Sequence, residues 1–325
     1  MAAKIKRIGV LTSGGDAPGM NPCIRAVART ALFNGCQVYG IREGFHGLLH
    51  GDLAPLEARE VGGIIQRGGT MLGTARSEEF RTTEGLATAV RVLTENAIDG
   101  LIVIGGDGSM RGCRALAERG VQVIGIPGSI DNDMWGTNMA IGVDTALNTL
   151  CDAIDKLRDT ASSHRRAFLI ETMGRNCGYL AVMAGVIGGA EVILIPEVET
   201  TLDEVAAAVE SAYKRGKTHS IIIVSEGAGI KTQELATALN AMPVGFSTRV
   251  TILGHIQRGG RPSAFDRLLA TRLGVKAVDA LLEGQSDVMM GLYGRDITAV
   301  PLEQVVSKQR EANLDYYEMA KMLAF

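Results

Sequence analysis

The chain of 325 residues exceeds one ordinary hydrophobic core, and its 46% hydrophobic and 21% charged residues are the balance of a soluble globular protein. Aromatic residues make up only 4% and the formal net charge is −3, so the stacking platforms and the positive field of a nucleic-acid-binding protein are both missing. Five cysteines without a CxxC pair argue against a zinc knot or a disulfide framework and are predicted to be reduced.

Short strands and amphipathic helices alternate along the chain. The N-terminus contains no apolar stretch long enough for a signal peptide or a membrane span, so we expect a cytoplasmic protein without a membrane partner. Eight runs rich in β-branched residues are predicted strands, namely Ile5–Thr12, Gln37–Ile41, Ile98–Ile104, Val121–Ile126, Ala167–Thr172, Glu191–Ile195, Ser220–Ser225 and Arg249–Leu253. The clearest helix is Asp144–Thr160, and the chain after about Asp266 is predicted to be helical and then mixed, with a closing helix within Gln309–Phe325.

This alternation predicts an α/β fold with mostly parallel sheets, whose ligands lie at the carboxyl ends of strands. Most of the runs are apolar throughout, as strands covered on both faces are. The length is compatible with two lobes. No linker rich in proline or serine marks their border, so the residues alone do not place it.

Glycines cluster in three loops, at Thr12–Asn21, Arg67–Arg76 and Ile104–Gly112. Glycine lets backbone N–H groups surround a phosphate, although a single loop of this kind is more often only a tight turn. Three loops together favour an anion site, where Asp107 could hold a metal ion. Arg111 stands where a dinucleotide-binding loop has its third glycine, and GxxxxGK[ST] does not occur, which argues against a dehydrogenase and a P-loop enzyme.

Two carboxylates, Asp131 and Asp133, end the predicted strand Val121–Ile126 in the sequence "GSIDND". Such groups are costly to bury, so they are predicted to face a cleft, one taking a hydroxyl proton while the other supports a metal. Arginines next to strand ends suggest a phosphorylated acceptor as well as a phosphorylated donor. For any single arginine, for His255 and for Glu226, a surface or structural role remains open.

The residues also resemble a known family, the bacterial ATP-dependent 6-phosphofructokinases, over nearly the whole chain. The motifs "LTSGGDAPGMN", "GGDGS", "IDND", "MGRNCG" and "GHIQRGG" occur in that family's order and spacing. The resemblance implies transfer of the γ-phosphoryl group of ATP to the 1-hydroxyl of fructose 6-phosphate, the committed step of glycolysis. It implies two Rossmann-like α/β/α lobes, an ATP-binding lobe of residues 1–142 plus 258–311 and a fructose 6-phosphate-binding lobe of residues 143–257 plus 312–325.

Roles carried over from the resemblance are expectations for individual residues. Asp131 would be the general base and Asp107 the Mg²⁺ ligand, with Asp133 in support. ATP would be held by Gly15, Arg76, Ser77, Gly106, Asp107, Gly108 and Ser109. Fructose 6-phosphate would be held by Ser129, Asp131, Met173, Gly174, Arg175, Glu226, His255 and Arg258, and by Arg166 and Arg249 of a neighbouring subunit, which implies a homotetramer.

The resemblance further implies a second, regulatory site that binds ADP or phosphoenolpyruvate between subunits. Its residues would be Arg25, Arg29, Arg158, Gly189, Glu191, Arg215, Lys217 and His219, a mostly cationic set as a diphosphate requires. The sequence departs from the family pattern at three positions. Ala58 stands where an effector arginine is usual, Ser129 where threonine is usual, and Phe45 where a tyrosine next to the nucleotide is common.

Three alternatives remain open from the sequence. Pyrophosphate-dependent relatives typically carry Asp and Lys where this chain has Gly108 and Gly128, so the glycines favour ATP. An NAD kinase or a lipid kinase would explain "GGDG" but not "MGRNCG" or "GHIQRGG". A sensor of nucleotides or sugar phosphates would need the arginines but not Asp131.

Overall fold

The computed structural model describes residues 5–324, so the first four residues of the predicted N-terminal segment and Phe325 of the predicted closing helix lie outside the described residues. The strands in this part of the chain are β1 Arg7–Ser13, β2 Gln37–Ile41, β3 Leu53–Pro55, β4 Gly100–Gly105, β5 Val123–Pro127, β6 Arg166–Thr172, β7 Val192–Leu194, β8 Ser220–Ser225, β9 Ser247–Ile252, β10 Val288–Tyr293 and β11 Asp296–Pro301. All eight predicted strands are present, with ends shifted by no more than two residues.

The helices are α1 Met20–Phe33, α2 Gly44–Leu49, α3 Thr83–Glu95, α4 Asp107–Ala117, α5 Val143–His164, α6 Tyr179–Gly188, α7 Leu202–Lys214, α8 Thr232–Asn240, α9 Ala264–Leu282, α10 Leu302–Ser307 and α11 Leu314–Leu323. Short 3₁₀ helices occupy Glu79–Arg81 and Gly254–Arg258. The predicted helix Asp144–Thr160 is confirmed as the central part of α5. No helix in the described residues is long and apolar enough to cross a membrane.

The chain divides into two compact units. The first contains the described residues up to Ile130, then Met134–Thr145 and Arg258–Gln309. The second contains Asp131–Asp133, Ala146–Gln257 and the described residues from Arg310 onward. The chain therefore passes between the units several times, and the short acidic segment Asp131–Asp133 is grouped with the second unit.

The first unit is built on a seven-stranded sheet of order β11-β10-β5-β4-β1-β2-β3. Its central pairs are parallel, and only the edge strands β3 and β11 run antiparallel to their neighbours. Every residue of β4 and β5 is buried. Because successive side chains of a strand point to opposite faces, both faces of the sheet are covered here, as in an α/β/α arrangement.

The second unit is built on a four-stranded parallel sheet of order β7-β8-β6-β9. All six residues of β8 are buried, so this sheet is also covered on both faces. Apolar residues of α7 and α8, such as Val209 and Leu235, pack with Leu169 and Ile222 in one buried cluster. Full burial of one such side chain stabilises the fold by roughly 1.5–3 kcal/mol. The α/β fold with mostly parallel sheets is thus confirmed.

A buried carboxylate, Asp266, connects the start of α9 to the start of α5 within the first unit. Its oxygens accept hydrogen bonds from Gly142 N at 2.9 Å, Thr145 N at 2.8 Å and Thr145 Oγ1 at 2.6 Å. Burial raises the pKa of the Asp266 carboxyl above its ordinary value, while the hydrogen bonds from Thr145 and Gly142 oppose that rise. Asp266 therefore satisfies N–H groups at the first turn of α5, which no helical bond can reach.

We predict that Asp266→Ala lowers the free energy of unfolding by about 3 kcal/mol, because three buried donors lose their acceptor. Urea denaturation followed by circular dichroism measures this loss. Glu283→Ala, at the exposed other end of α9, is the matched control and should change stability by less than about 0.5 kcal/mol. Equal urea midpoints for the two variants would show that the Asp266 network contributes nothing to stability.

Candidate active site

Two glycine-rich loops of the first unit begin where the strand order of its sheet reverses. The chain proceeds from β1 to β2 on one side, and β4 lies on the other side of β1. In open α/β sheets, ligands bind in the crevice at the carboxyl ends of the two strands that flank such a reversal. The loop Thr12–Asn21 leaves β1 at this edge and the loop Ile104–Gly112 leaves β4 there. The topology thus favours this edge as the ligand-binding edge of the unit.

Asn21 holds the third glycine-rich loop, Arg67–Arg76, against the first. Its side chain is 2% exposed, and its Oδ1 accepts a hydrogen bond from Met71 N at 2.7 Å. Its Nδ2 donates to the carbonyl oxygens of Arg67 and Gly68, each at 3.1 Å. One buried amide therefore fixes the backbone of a loop that contains no regular structure.

Arg258 of the motif "GHIQRGG" also lies on the first loop. Its Nη1 donates to the carbonyl oxygen of Asp16 at 3.2 Å, and a side chain at Gly15 would collide with the guanidinium group. Thr74 Oγ1 donates to the carbonyl oxygen of Gly14 at 2.6 Å, which brings the third loop to the same place. Of the predicted ligands, Gly15 and Arg258 are therefore neighbours.

The predicted phosphate loop Gly106–Ser109 forms the first turn of α4, where backbone N–H groups and the helix dipole favour an anion. Ser109 is 3% exposed, and a Cβ on Gly108 would meet no atom within 4 Å, so the loop surface at Gly108 is open. Asp107, the predicted metal ligand, forms an ion pair with Arg111, with Nε and Oδ2 3.0 Å apart. A cation at Asp107 would compete with that guanidinium.

Three further predicted residues of the first unit are Ser129, Ser77 and Arg76, of which Ser129 lies next to this turn. Ser129 is 8% exposed, and its Cβ is 3.6 Å from the position of a Cβ built on Gly106. Ser77 Oγ accepts a hydrogen bond from Phe80 N at 3.2 Å, and Arg76 is exposed. Ser77 thus has a structural partner, and Arg76 is accessible.

The acidic segment of the second unit is a tight turn. Asp131 is 3% exposed and Asn132 is fully buried, and Asn132 has the left-handed backbone conformation with φ of 52°. Arg175 Nε lies 3.8 Å from Asp131 Oδ2, so a guanidinium faces the predicted base. The segment follows β5 and is followed by Trp135, which packs against Lys308 with Nζ 4.2 Å from the ring centroid.

Glu226 holds the turn that follows β6. Its Oε1 accepts hydrogen bonds from Gly174 N at 3.2 Å and Arg175 N at 3.0 Å. Gly174 has φ of 141° and Arg175 has φ of 51°, both in the region that disfavours ordinary side chains. Glu226, predicted to bind sugar hydroxyls, therefore already orders the backbone that carries Arg175.

Gln257, which is not among the predicted site residues, connects the same turn to the 3₁₀ helix Gly254–Arg258. The side chain is fully buried, its Oε1 accepts a hydrogen bond from Met173 N at 3.2 Å, and its Nε2 donates to Gly254 O at 3.0 Å. His255, in the same 3₁₀ helix, is exposed. Its place inside the motif "GHIQRGG" is the one signal in the sequence that could have identified this residue.

Arg166 and Arg249 lie away from that turn. Arg166 is the first residue of β6, and Met173 follows the last residue of that strand, so about 20 Å of extended chain separates them. Arg249, which is exposed, lies in the neighbouring strand β9 and pairs with Phe168 of β6. The two arginines are on the same face of the sheet and do not join the other predicted ligands within one chain.

The predicted regulatory residues form two contact groups within the second unit. Arg158 donates from Nη2 to the carbonyl oxygens of Gly188 and Gly189, the latter at 3.4 Å, and its Nη1 lies 3.2 Å from His219 Nε2. Lys217 Nζ donates to Glu191 Oε1 at 3.1 Å.

Both Lys217 Nζ and Arg215 Nη2 donate to the carbonyl oxygen of Ala324, at 3.1 and 3.3 Å. The structure thus brings six of the eight predicted regulatory residues into groups that share the second unit. The C-terminal backbone is part of one group.

The other two regulatory residues, Arg25 and Arg29, are one turn apart on α1 in the first unit. Arg29 Nη2 donates to the carbonyl oxygen of Ala58 at 3.5 Å. Ala58, which stands where the family usually has an arginine, therefore contacts a residue of the predicted regulatory site through its backbone. Phe45, another departure, is buried and stacks on Phe80 with ring centroids 4.0 Å apart.

Comparisons with known proteins find relatives over nearly the whole chain. A family model described as Phosphofructokinase matches residues 7–281. The chain is 50% identical to an ATP-dependent 6-phosphofructokinase of Halalkalibacterium halodurans, over 98% of this chain and 100% of that protein. It is 51% identical to the ATP-dependent 6-phosphofructokinase of Clostridioides difficile over the same shares.

Solved structures show a similar fold. A phosphofructokinase of Pichia pastoris in the T-state is 39% identical with a TM-score of 0.90, over 94% of this chain. This chain spans only 36% of that longer protein. A pyrophosphate-dependent phosphofructokinase of Marinobacter aquaeolei, 22% identical with a TM-score of 0.87 over 96% of this chain and 86% of that one, has the same fold.

We predict that His219 titrates below its ordinary pKa of 6.5. Burial is the largest cause, and the positive charges of Arg158 and Lys217 add to it, against the opposing charge of Glu191. The stability that His219 contributes is therefore present above about pH 6.5 and lost as the pH falls through its lower folded-state pKa. NMR titration of the ring, assigned with His219→Gln, measures the midpoint.

Arg158→Met should raise the His219 midpoint without restoring it fully, because the burial remains. Arg91→Met, on the exposed face of α3, is the control and should leave the midpoint unchanged. A midpoint at or above 6.5 in the unaltered protein contradicts the prediction.

Proposed function

The chain belongs to the phosphofructokinase family, and on this premise we propose that it is an ATP-dependent 6-phosphofructokinase, which phosphorylates the 1-hydroxyl of fructose 6-phosphate and releases ADP. The observation that carries the proposal is the turn Asp131–Asp133, where the buried carboxylate of Asp131, four residues after the end of β5, faces the guanidinium group of Arg175. Such a carboxylate is suited to accept a proton, and the guanidinium next to it is suited to bind a phosphate ester.

This reaction is the committed step of glycolysis, and we propose a cytoplasmic location. All five cysteines are free thiols, which suits a reducing compartment.

The glycine-rich loops of the first unit are proposed to bind the triphosphate of ATP through backbone N–H groups, with Gly15, Arg76, Ser77 and the Gly106–Ser109 turn as ligands. The helix dipole of α4 adds a favourable field for the anion. The open space at Gly108 supports a nucleotide donor, since a longer side chain there would project into that space.

Asp107 is proposed to hold the Mg²⁺ ion that accompanies ATP. A hard carboxylate oxygen suits this ion, and Asp107 is 40% exposed at the same helix start that would bind the phosphates. Residues 5–324 contain no group of three or more acidic, histidine or cysteine side chains that could hold a metal. Asp107 would therefore be one of few protein ligands of the ion, and the phosphates of ATP would supply the remaining ligands. When bound, the ion would neutralise the charge of the transferred group.

In the second unit, Asp131 is proposed to take the proton of the 1-hydroxyl as that oxygen attacks the γ-phosphorus. The Arg175 guanidinium faces this carboxylate, with Nε 3.8 Å from Oδ2. Met173, Gly174, Arg175, Glu226 and His255, and Ser129 and Arg258 of the first unit, are proposed to bind the sugar phosphate. Glu226 contributes by fixing the N–H groups of Gly174 and Arg175, which presents the Arg175 guanidinium.

Arg166 and Arg249 are proposed to act in the site of a neighbouring subunit of a homotetramer. The length of strand between Arg166 and Met173 supports this assignment, because neither arginine can belong to the cluster around Met173 in its own chain. The residues Arg25, Arg29, Arg158, Gly189, Glu191, Arg215, Lys217 and His219 are proposed to bind ADP or phosphoenolpyruvate as effectors. Their excess of positive charge supports an anionic ligand.

We predict that the purified protein phosphorylates fructose 6-phosphate with Mg²⁺ and ATP but not with pyrophosphate, and that Asp131→Ser lowers kcat by at least about 10²-fold. The KM for fructose 6-phosphate should change little, because the lost group acts on the proton and Arg175 still binds the phosphate. A coupled assay with both donors side by side measures these values. Activity with pyrophosphate alone, or near-normal turnover of Asp131→Ser, would refute the assignment.

Arg249→Ala should raise the KM for fructose 6-phosphate with a smaller effect on kcat, because a phosphate ligand is lost before and during transfer. Co-expression of Asp131→Ser chains with Arg249→Ala chains tests the shared site. About a quarter of the sites in random mixed tetramers would combine an intact Asp131 with an intact Arg249 from the neighbour. Activity with the unaltered KM should therefore return in the mixture, and its absence would place Arg249 in the site of its own chain or in no site.

A further inference from the structure

Glu197, which follows β7, binds two separate segments of backbone in the second unit. Its Oε1 and Oε2 accept hydrogen bonds from Gly178 N at 2.8 and 3.1 Å, directly before α6. Its Oε1 also accepts a hydrogen bond from Ala312 N at 2.9 Å. A carboxylate at the start of a helix is favoured by the dipole, and charge-assisted bonds of this kind are stronger than neutral ones.

Both segments that Glu197 binds continue directly into contacts with the acidic turn. Arg310, two residues before Ala312, donates its backbone N–H to the carbonyl oxygen of Asp133 at 3.2 Å. Tyr179, the residue after Gly178, forms a side-chain hydrogen bond with Asn132. The guanidinium of Arg310 lies over the Tyr179 ring, with Cζ 5.4 Å from the centroid, so the two contacts support each other.

The turn needs such support because of its own backbone. Asn132 has φ of 52°, in the left-handed region, which residues other than glycine seldom adopt and asparagine adopts more often than most. A strained conformation persists where the surrounding structure fixes it. Asn132 and Asp133 are each held by one of the two segments that Glu197 anchors, and Asp131 precedes them directly.

We propose that Glu197 is a positioning residue for the reaction, which fixes the direction of the Asp131 carboxylate through Tyr179 and Arg310. Glu197 itself does not touch substrate. The proposal rests on the proposed role of Asp131 as the base. It assigns to the Glu197 carboxylate a function at a turn that lies more than sixty residues earlier in the chain.

The test is Glu197→Gln, which keeps the shape of the side chain but removes its charge and replaces one acceptor oxygen with a donor. We expect kcat to fall about 10-fold to 100-fold, as for a small displacement of a catalytic group, with the KM for ATP unchanged. Glu199→Gln is the matched control, since it makes the same chemical change at an exposed position two residues away, and it should have no effect.

The double variant separates positioning from general damage to the fold. If Glu197 acts through Asp131, then Glu197→Gln should cause no further loss of kcat in an Asp131→Ser background. A further loss of similar size in that background, or an equal loss from Glu199→Gln, overturns the proposal for Glu197 and leaves the role of Asp131 intact. Near-normal turnover of Asp131→Ser alone overturns the role of the base and this inference with it.

A second variant covers the case in which Glu197→Gln does not fold. Tyr179→Phe removes the hydroxyl that bonds Asn132 and keeps the ring beneath Arg310. It should lower kcat several-fold in the unaltered background and not at all in the Asp131→Ser background. An unchanged kcat in Tyr179→Phe would show that the Tyr179 contact at Asn132 does not position the base, and it would overturn the proposal, which requires that contact.

Discussion

Loops at the carboxyl ends of buried strands must find acceptors for their backbone N–H groups, and polar side chains supply these acceptors in both units. Asn21 does so for the third glycine-rich loop, Glu226 and Gln257 for the turn after β6, and Glu197 for the start of α6. An N–H group buried without a partner costs about 1–3 kcal/mol, so each of these side chains contributes to stability. The same bonds set the directions of the functional groups that the loops carry.

The sequence predicts the buried strands well because their apolar β-branched runs are long and uninterrupted. It does not identify β3, β10 or β11. β3 is three residues long and ends in Pro55, and β10 contains Met289, Met290 and Gly291, which carry little strand signal. β3 and β11 are antiparallel edge strands. The hydrophobic pattern of an edge strand is weaker than that of a central strand, because an edge strand pairs with only one neighbour.

For the candidate site, the motifs identify the loops and the charged groups, and the family resemblance adds their expected roles. Partners remote in the sequence cannot be predicted from the motifs. Glu197 meets Ala312 over 115 residues, and Gln257 meets Met173 over 84. A carboxylate or amide bonded to distant backbone leaves no local pattern, since the donor can belong to any residue type. Asp107 and Arg111, by contrast, are four residues apart, so their ion pair follows from helical spacing once α4 is known.

The single tryptophan of the chain, Trp135, lies two residues after Asp133 and has the Lys308 ammonium over its ring. Indole emission depends on nearby charge and on access of water, and no second indole contributes background. The protein therefore carries an intrinsic optical probe next to its acidic turn. Ligand titrations and rapid-mixing experiments can follow that turn in the unaltered chain, without attached dyes.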